Sequence, residues 1–249
     1  MKQHYKPAEL LRRLEPSELG LVYTSAQRLN LSGELTVASE NNEVCLVCIK
    51  GSCQYETAGG SGTARVRDIL YLPVGSTLTL RGEECVWMRF GAPCTTQTAF
   101  AHIPFHEVDA DSRHKTYGDE KHGTRRDVWN CIDEKFPSGR FLVGMCSGRD
   151  GGWTAWPPHE HAAEREETYV YFEMGDSFGI QCVYEDMDNP YCVALVREGD
   201  MIAIPRGYHP NCGCPGGGIF YMYCMVSTEE GKRDFMDLRC QSIYGDRLA

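Results

Sequence analysis

Three histidines and a pair of glutamates carry the chemistry that this chain can do. His159 and His161 stand in Pro157-Pro158-His159-Glu160-His161, Glu166-Glu167 follow, and His209 closes Pro205-Arg206-Gly207-Tyr208-His209-Pro210. On an extended strand side chains alternate, so His159 and His161 face one way and Glu160 the other. A carboxylate returning on the next strand, with a third imidazole from a distant one, would complete a three-nitrogen, one-oxygen shell around a divalent ion. Such a shell leaves positions for water or substrate, which is the character of a catalytic metal rather than a structural one. An HxH pair alone could be a solvated strand edge. That reading leaves the acid pair and the phrase ending at His209 unexplained.

Alternation also chooses between the two glutamates. Glu167, Tyr169 and Tyr171 share one face of a strand, and Glu166, Thr168, Val170 and Phe172 share the other. The second set is drier and suits packing outside a barrel wall, whereas an acid with two phenols suits a polar interior. Glu167 is therefore the expected ligand. The donor set suits zinc, manganese, iron or nickel and does not by itself choose among them; zinc or manganese is the expected ion, with iron or nickel as alternatives.

The elements that must position these groups are strands. Short β-rich runs broken by Gly, Pro, Asn and Asp fill the chain, the pattern of a sandwich or barrel. Residues 44–49, 68–72, 77–80 and 86–90 make one set. Residues 141–146, 168–172, 179–184, 192–196, 200–204 and 219–226 make a second. Helical periodicity is confined to residues 8–13 and 229–236. The polar stretch 109–126 reads as a linker between an N-terminal unit, 1–108, and a C-terminal unit, 127–249. Asp68-Ile-Leu-Tyr-Leu-Pro-Val-Gly75 echoes Asp200-Met-Ile-Ala-Ile-Pro-Arg-Gly207. The echo predicts two copies of one β unit. The first copy has no histidine between Lys50 and Phe100, so the metal is expected only in the second.

Composition bounds the partners. The 249 residues carry 42% hydrophobic side chains and a formal net charge of −10. An acidic chain is not drawn to nucleic acid or to an anionic membrane. No apolar run approaches the roughly 20 residues that span a bilayer, and the first residues hold no signal-peptide core, so the expected address is cytoplasmic. The 13 cysteines are then expected as free, mostly buried thiols. Cys45-x-x-Cys48 lies in a strand-like run and lacks a second pair at zinc-ribbon spacing.

The histidine and glutamate phrases resemble those of the cupin superfamily, whose first motif is HxH, three or four residues, then Glu, and whose second is P-x-G-x-x-H. Here five residues separate His161 from Glu167 and one separates Gly207 from His209. In both respects the chain is similar to one branch, the 5-deoxy-glucuronate isomerases of myo-inositol catabolism. Trp153-Thr-Ala-Trp-Pro-Pro-His-Glu-His161, Glu166-Glu-Thr-Tyr-Val-Tyr171 and Ile204-Pro-Arg-Gly-Tyr-His-Pro210 look like that branch's phrases. Arg125-Arg-Asp-Val128 and Arg140-Phe-Leu-Val-Gly144 also look like its second domain. The related 4-deoxy-L-threo-5-hexosulose-uronate ketol-isomerases share the His, His, Glu, His set.

The resemblance implies an all-β bicupin, two tandem antiparallel β-barrels of jelly-roll type with few short helices. It implies a metal-dependent aldose–ketose isomerase that converts 5-deoxy-glucuronate to 5-dehydro-2-deoxy-gluconate by moving hydrogen between C1 and C2. A divalent cation would stabilise the enediolate, and an acid–base group must stand within reach. Tyr169, Tyr171, Tyr221, Tyr223 and Gln181 lie on strands expected to line the barrel. Tyr171 and Tyr221 are the catalytic candidates and Gln181 a substrate contact. Arg140 and Arg206 are candidates for the substrate carboxylate. The expected partner is a small sugar acid, with a homo-oligomer also compatible. The rival readings are another metal cupin enzyme (an epimerase, a uronate ketol-isomerase or an iron oxygenase) and a non-catalytic sugar-binding cupin.

Overall fold

The computed structural model describes residues 2–161 and 163–244. Its strands are β1 (His4–Tyr5), β2 (Ser25–Ala38), β3 (Asn42–Lys50), β4 (Ser52–Thr57), β5 (Gly60–Arg65), β6 (Ile69–Leu72), β7 (Thr77–Pro93), β8 (Ala101–Ile103), β9 (His114–Tyr117) and β10 (Arg126–Ile132). They continue as β11 (Phe141–Gly148), β12 (Trp153–Thr154), β13 (His159–Glu160), β14 (Arg165–Tyr171), β15 (Gly179–Val183), β16 (Cys192–Val196), β17 (Met201–Ile204), β18 (Asn211–Gly213), β19 (Ile219–Ser227) and β20 (Arg239–Cys240). Helix is confined to α1 (Pro16–Leu19), α2 (Phe105–Asp109) and 3₁₀ turns at Pro7–Leu10 and Ser242–Tyr244. The protein is nearly all β, as its turn-punctuated sequence predicts. Among the described residues no helix is long and apolar enough to cross a membrane.

In the first half the order β5-β4-β7-β3-β6-β8, with β2 also on β7, makes one antiparallel sheet. In the second half one sheet runs β1-β17-β14-β19-β11-β10-β9 and a smaller one runs β12-β18-β15-β16. Tyr169, Tyr221 and Ile202 of the larger sheet pack with Val183 and Val196 of the smaller one, so the two face each other across a single interior.

Several strands are buried on both faces, and the alternation explains why. From β3, Val44, Leu46 and Cys48 point into the first half's interior, while Cys45, Val47 and Ile49 enter a central layer between the halves. From β19, Tyr221, Tyr223 and Met225 point into the second interior, while Met222, Cys224 and Val226 enter the same central layer. The large sheet of each half thus has one face inside its own half and one face against the other half. An antiparallel strand in that position must be apolar throughout, which is the reason these runs lack the polar alternation of a solvated sheet.

The echo between Asp68 and Asp200 is built into the backbone. Asp68 accepts the Arg65 N–H at 3.0 Å and Asp200 accepts the Arg197 N–H at 3.1 Å, each capping the turn before β6 or β17. Each also meets an imidazole from the neighbouring edge strand, His102 on β8 at 3.1 Å and His4 on β1 at 2.8 Å. Register agrees as well: Val44 pairs with Leu72, four residues after Asp68, and Glu167 pairs with Ile204, four residues after Asp200. Val44 of the first half therefore stands where Glu167 stands in the second, and Glu43 stands where Glu166 does.

Three expectations differ from the structure. The stretch 109–126 contains β9, which pairs with β10 from Arg126↔Tyr117 to Trp129↔His114; its polarity is that of a partly exposed sheet edge. Residues 77–80 and 86–90 belong to one continuous strand, β7, whose partner β2 shifts register between Leu31 and Gly33. Residues 229–236 form turns rather than a helix. There Glu230 accepts the Thr95 N–H at 2.8 Å, Gly231 donates to the Gly139 carbonyl at 2.7 Å, and Arg233 donates to the Asp133 carbonyl at 2.9 Å. Those long-range bonds outweigh a weak local helical preference. Among the described residues no disulfide joins the cysteines.

Candidate metal centre

The three imidazoles converge. One ring nitrogen each from His159, His161 and His209 lies within 4.8 Å of the others. Glu167 joins them through Oε2, 3.3 Å from His161 Nε2 and 3.1 Å from His209 Nε2. At metal–ligand distances of about 2.1 Å, neighbouring ligand atoms stand about 3.0–3.4 Å apart, so these spacings match the edges of a coordination polyhedron.

Local backbone aims the rings. His159 Nδ1 lies 2.9 Å from the Pro157 carbonyl, and His209 Nδ1 lies 2.9 Å from the Gly207 carbonyl. A carbonyl only accepts, so both protons sit on Nδ1 and both Nε2 lone pairs are left for a ligand role. Gly207 is required for this: its φ is +94°, and a Cβ there would stand 2.8 Å from the Tyr184 carbonyl oxygen. Gln181 adds a second restraint by donating to the His209 carbonyl at 2.9 Å.

The electrostatics fit a cation. His209, Glu167 and His161 are 1%, 3% and 7% exposed. Burial pushes His159 and His161 below the ordinary imidazole value, favouring the neutral, ligating form. Burial alone would raise Glu167, but the closeness of its carboxylate to the His161 and His209 rings outweighs it and holds the carboxyl well below the usual carboxylate range. His209, also penalised by burial, is carried upward by Glu167. His209 Nε2 and Glu167 Oε2 are nonetheless buried without a well-formed hydrogen bond. Buried polar atoms left in that state are unusual, and convergence on one point is what a divalent ion would satisfy. The donor set therefore fits such an ion.

The structure separates the other residues singled out in the sequence. Tyr169, Tyr221 and Tyr223 line the cavity beside His159, His161 and Glu167. Tyr171 and Gln181 do not: the Tyr171 hydroxyl donates to Gln181 Oε1 at 2.5 Å, deeper in the interior. Arg140 is also elsewhere. It donates to the carbonyls of Pro93 at 2.7 Å, Ser227 at 2.9 Å and Thr228 at 2.8 Å, joining the two halves. The Arg206 side chain is 62% exposed and reaches toward Glu185 at 3.4 Å. Arg126, in the cavity wall, was not among the candidates. Alternation from Val128, whose side chain is in the second interior, is the signal that could have found it.

Glu166 faces the opposite way, as alternation predicts. Its carboxylate accepts the backbone N–H groups of Val22 at 2.7 Å, Tyr23 at 2.9 Å and Thr24 at 2.6 Å, with the Thr24 hydroxyl at 2.6 Å.

With that geometry established, similarity to known proteins becomes informative. A 5-deoxy-glucuronate isomerase of Geobacillus kaustophilus is 32% identical over 109 residues, a match spanning 41% of this chain and 40% of that relative's length. The enzyme of the same name from Halalkalibacterium halodurans is 26% identical over 93% of this chain and 92% of its own. A 4-deoxy-L-threo-5-hexosulose-uronate ketol-isomerase of Rhizobium meliloti is 26% identical over 70% of this chain and 62% of its own. Among solved structures, an IolB-like protein from Salmonella typhimurium superimposes with a TM-score of 0.86 at 20% identity, covering 98% of both chains. An oxalate decarboxylase from Lactobacillus farciminis superimposes with a TM-score of 0.65 at 11% identity, over 98% of this chain and 90% of its own; both structures share the fold. The model of the KduI/IolB family matches residues 3–242, nearly the whole sequence, and the chain belongs to that family.

Proposed function

We propose that this chain is an aldose–ketose isomerase acting on a deoxy-uronic sugar. Its leading substrate is 5-deoxy-glucuronate, converted to 5-dehydro-2-deoxy-gluconate within inositol catabolism. The observation that carries this reading is the convergence of three imidazoles and Glu167 on one point in a phenol-walled cavity. Relatives along the chain are named isomerases of deoxy-uronates. In this reading His159, His161, Glu167 and His209 hold one divalent ion, zinc or manganese ahead of iron or nickel. That ion supplies Lewis acidity at the sugar's carbonyl and adjacent hydroxyl.

The protein's own side chains supply the rest. Burial raises Tyr169 and Tyr221 well above the ordinary phenol value, so both stay protonated and suit the acid side of proton transfer at the C1 and C2 oxygens. Tyr171 and Gln181 act as positioning residues, since Gln181 links the Tyr171 hydroxyl to the His209 backbone. The architecture is read as two tandem cupin barrels joined through 109–126, supported by the paired roles of Asp68 with Asp200 and of Val44 with Glu167. The acidic sequence, at −10, favours a small-molecule partner over nucleic acid or an anionic membrane, and a cytoplasmic address belongs to the same reading.

Treatment with a chelator should abolish turnover of 5-deoxy-glucuronate, and one equivalent of zinc or manganese should restore it. Clean activity on neutral sugars with none on any deoxy-uronate would move the substrate class elsewhere. Tyr221→Phe should lower kcat by roughly 10²–10⁴-fold while metal content measured by elemental analysis stays at one per chain. A Tyr221→Phe protein with wild-type kcat would transfer the acid–base role to another group.

A further inference from the structure

Arg126 is a buried cation with no counter-ion. It opens β10 at 8% exposure, and no carboxylate of a described residue pairs with it. Asp127, its neighbour, lies on the other face and accepts the Thr116 hydroxyl at 2.6 Å. Among the described residues lining the metal cavity, Arg126 is the sole Lys or Arg. The wall's other charged side chain apart from the histidines, Glu167, is committed to His161 and His209. Burying a guanidinium without an anion is costly, so its place in this wall needs a reason.

Its restraints supply one. Nη1 donates to the Thr124 carbonyl at 3.1 Å and Nη2 to the Trp156 carbonyl at 2.5 Å, while the guanidinium lies 5.4 Å from the centre of the Tyr117 ring. A guanidinium has five N–H donors. Two are spent on holding the group still, which leaves the others for a planar anion. A fork fixed in this way loses little entropy when it binds a carboxylate bidentately. Trp156 also precedes the Pro157 carbonyl that orients His159, so the anion site and the metal site share one loop.

We propose that Arg126 receives the carboxylate of the sugar acid, and so selects uronates over neutral sugars. This inference rests on the isomerase reading for the identity of the sugar. Its physical basis is a preorganised, otherwise unpaired fork in the wall that also carries His159 and Glu167.

The test uses metal-loaded, full-length wild-type protein with Arg126→Gln and Arg126→Lys. KM and kcat are measured on 5-deoxy-glucuronate and on 5-deoxy-glucose, its neutral counterpart, together with metal content. Arg126→Gln should raise KM for the acid sugar about 10²-fold more than it raises KM for the neutral sugar, with metal content still at one per chain. Arg126→Lys, which keeps the charge and loses the fork, should fall between and serves alone if the Gln variant does not fold. Unchanged KM for the acid sugar would overturn the inference, and so would an equal loss on both sugars with loss of metal, which marks a structural role. If wild-type protein isomerises no sugar, the isomerase reading fails by itself. Titration with gluconate then decides the Arg126 question: about 10²-fold weaker binding to the variant supports the anion site, and equal binding refutes it.

Discussion

Glu167→Ala protein is expected to lose its divalent ion and its turnover together while keeping its fold. The carboxylate is the sole anionic donor in the cluster, with Oε2 3.1 Å from His209 Nε2 and 3.3 Å from His161 Nε2. Removing it leaves three neutral donors and no charge to offset a dication. Loss of an outer-shell partner already costs about 10–100-fold in metal affinity, so loss of a ligand should cost more than that. Thermal unfolding offers an independent readout. A ligand that binds only the folded state at about 100 times its Kd stabilises by about 2.7 kcal/mol, so added zinc should raise the wild-type Tm and leave that of the variant unmoved. A Glu167→Ala protein that still copurifies with one metal per chain would remove Glu167 from the shell.

Glu166→Ala should show the reverse, a less stable protein with its metal intact. The Glu166 carboxylate gathers three consecutive backbone N–H groups and the Thr24 hydroxyl from the first half, all at 2.6–2.9 Å. The carboxylate is 4% exposed, so these donors are largely sequestered behind it. Each buried donor left unsatisfied costs about 1–3 kcal/mol, with some relief by rearrangement, so the expected loss is about 3–5 kcal/mol. For a chain of this size that lowers Tm by about 10 °C. Elemental analysis should still find the ion. If Glu166→Ala loses the metal and Glu167→Ala keeps it, the alternation argument fails at its root.

The same architecture gives the first half no acid at the position that Glu167 takes in the second. Glu43, in the position of Glu166, accepts the Gly139 N–H at 2.8 Å and the Arg140 N–H at 2.6 Å from the second half. Each half therefore grips the backbone of the other through an equivalent glutamate. Both halves make this clasp, and at the interior-facing position beside it one half carries Val44 and the other Glu167.

What the sequence determined by itself is what local covalent geometry controls. Side-chain alternation, a property of any strand, separated Glu167 from Glu166 and put Tyr169 with the histidines. The repeated Asp-apolar-Pro-x-Gly phrase marks two like turns because each Asp caps its own turn three residues back. Tertiary structure decided everything that depends on which distant strand lies opposite. Arg140 and Arg206 have the chemistry for a carboxylate, yet one staples the two halves through backbone carbonyls and the other faces solvent. Arg126 reaches the cavity because β10 enters the larger sheet at its β11 edge, a pairing that no local pattern specifies. Tyr171 shares a face with Glu167, but the Gln181 and Asn211 side chains from the opposite sheet engage its hydroxyl below the cavity. Residues 229–236 likewise follow carbonyls and N–H groups distant in sequence, at Thr95, Asp133 and Gly139, rather than their own weak periodicity. Local rules set the direction in which a side chain points, and long-range pairing sets what it meets there.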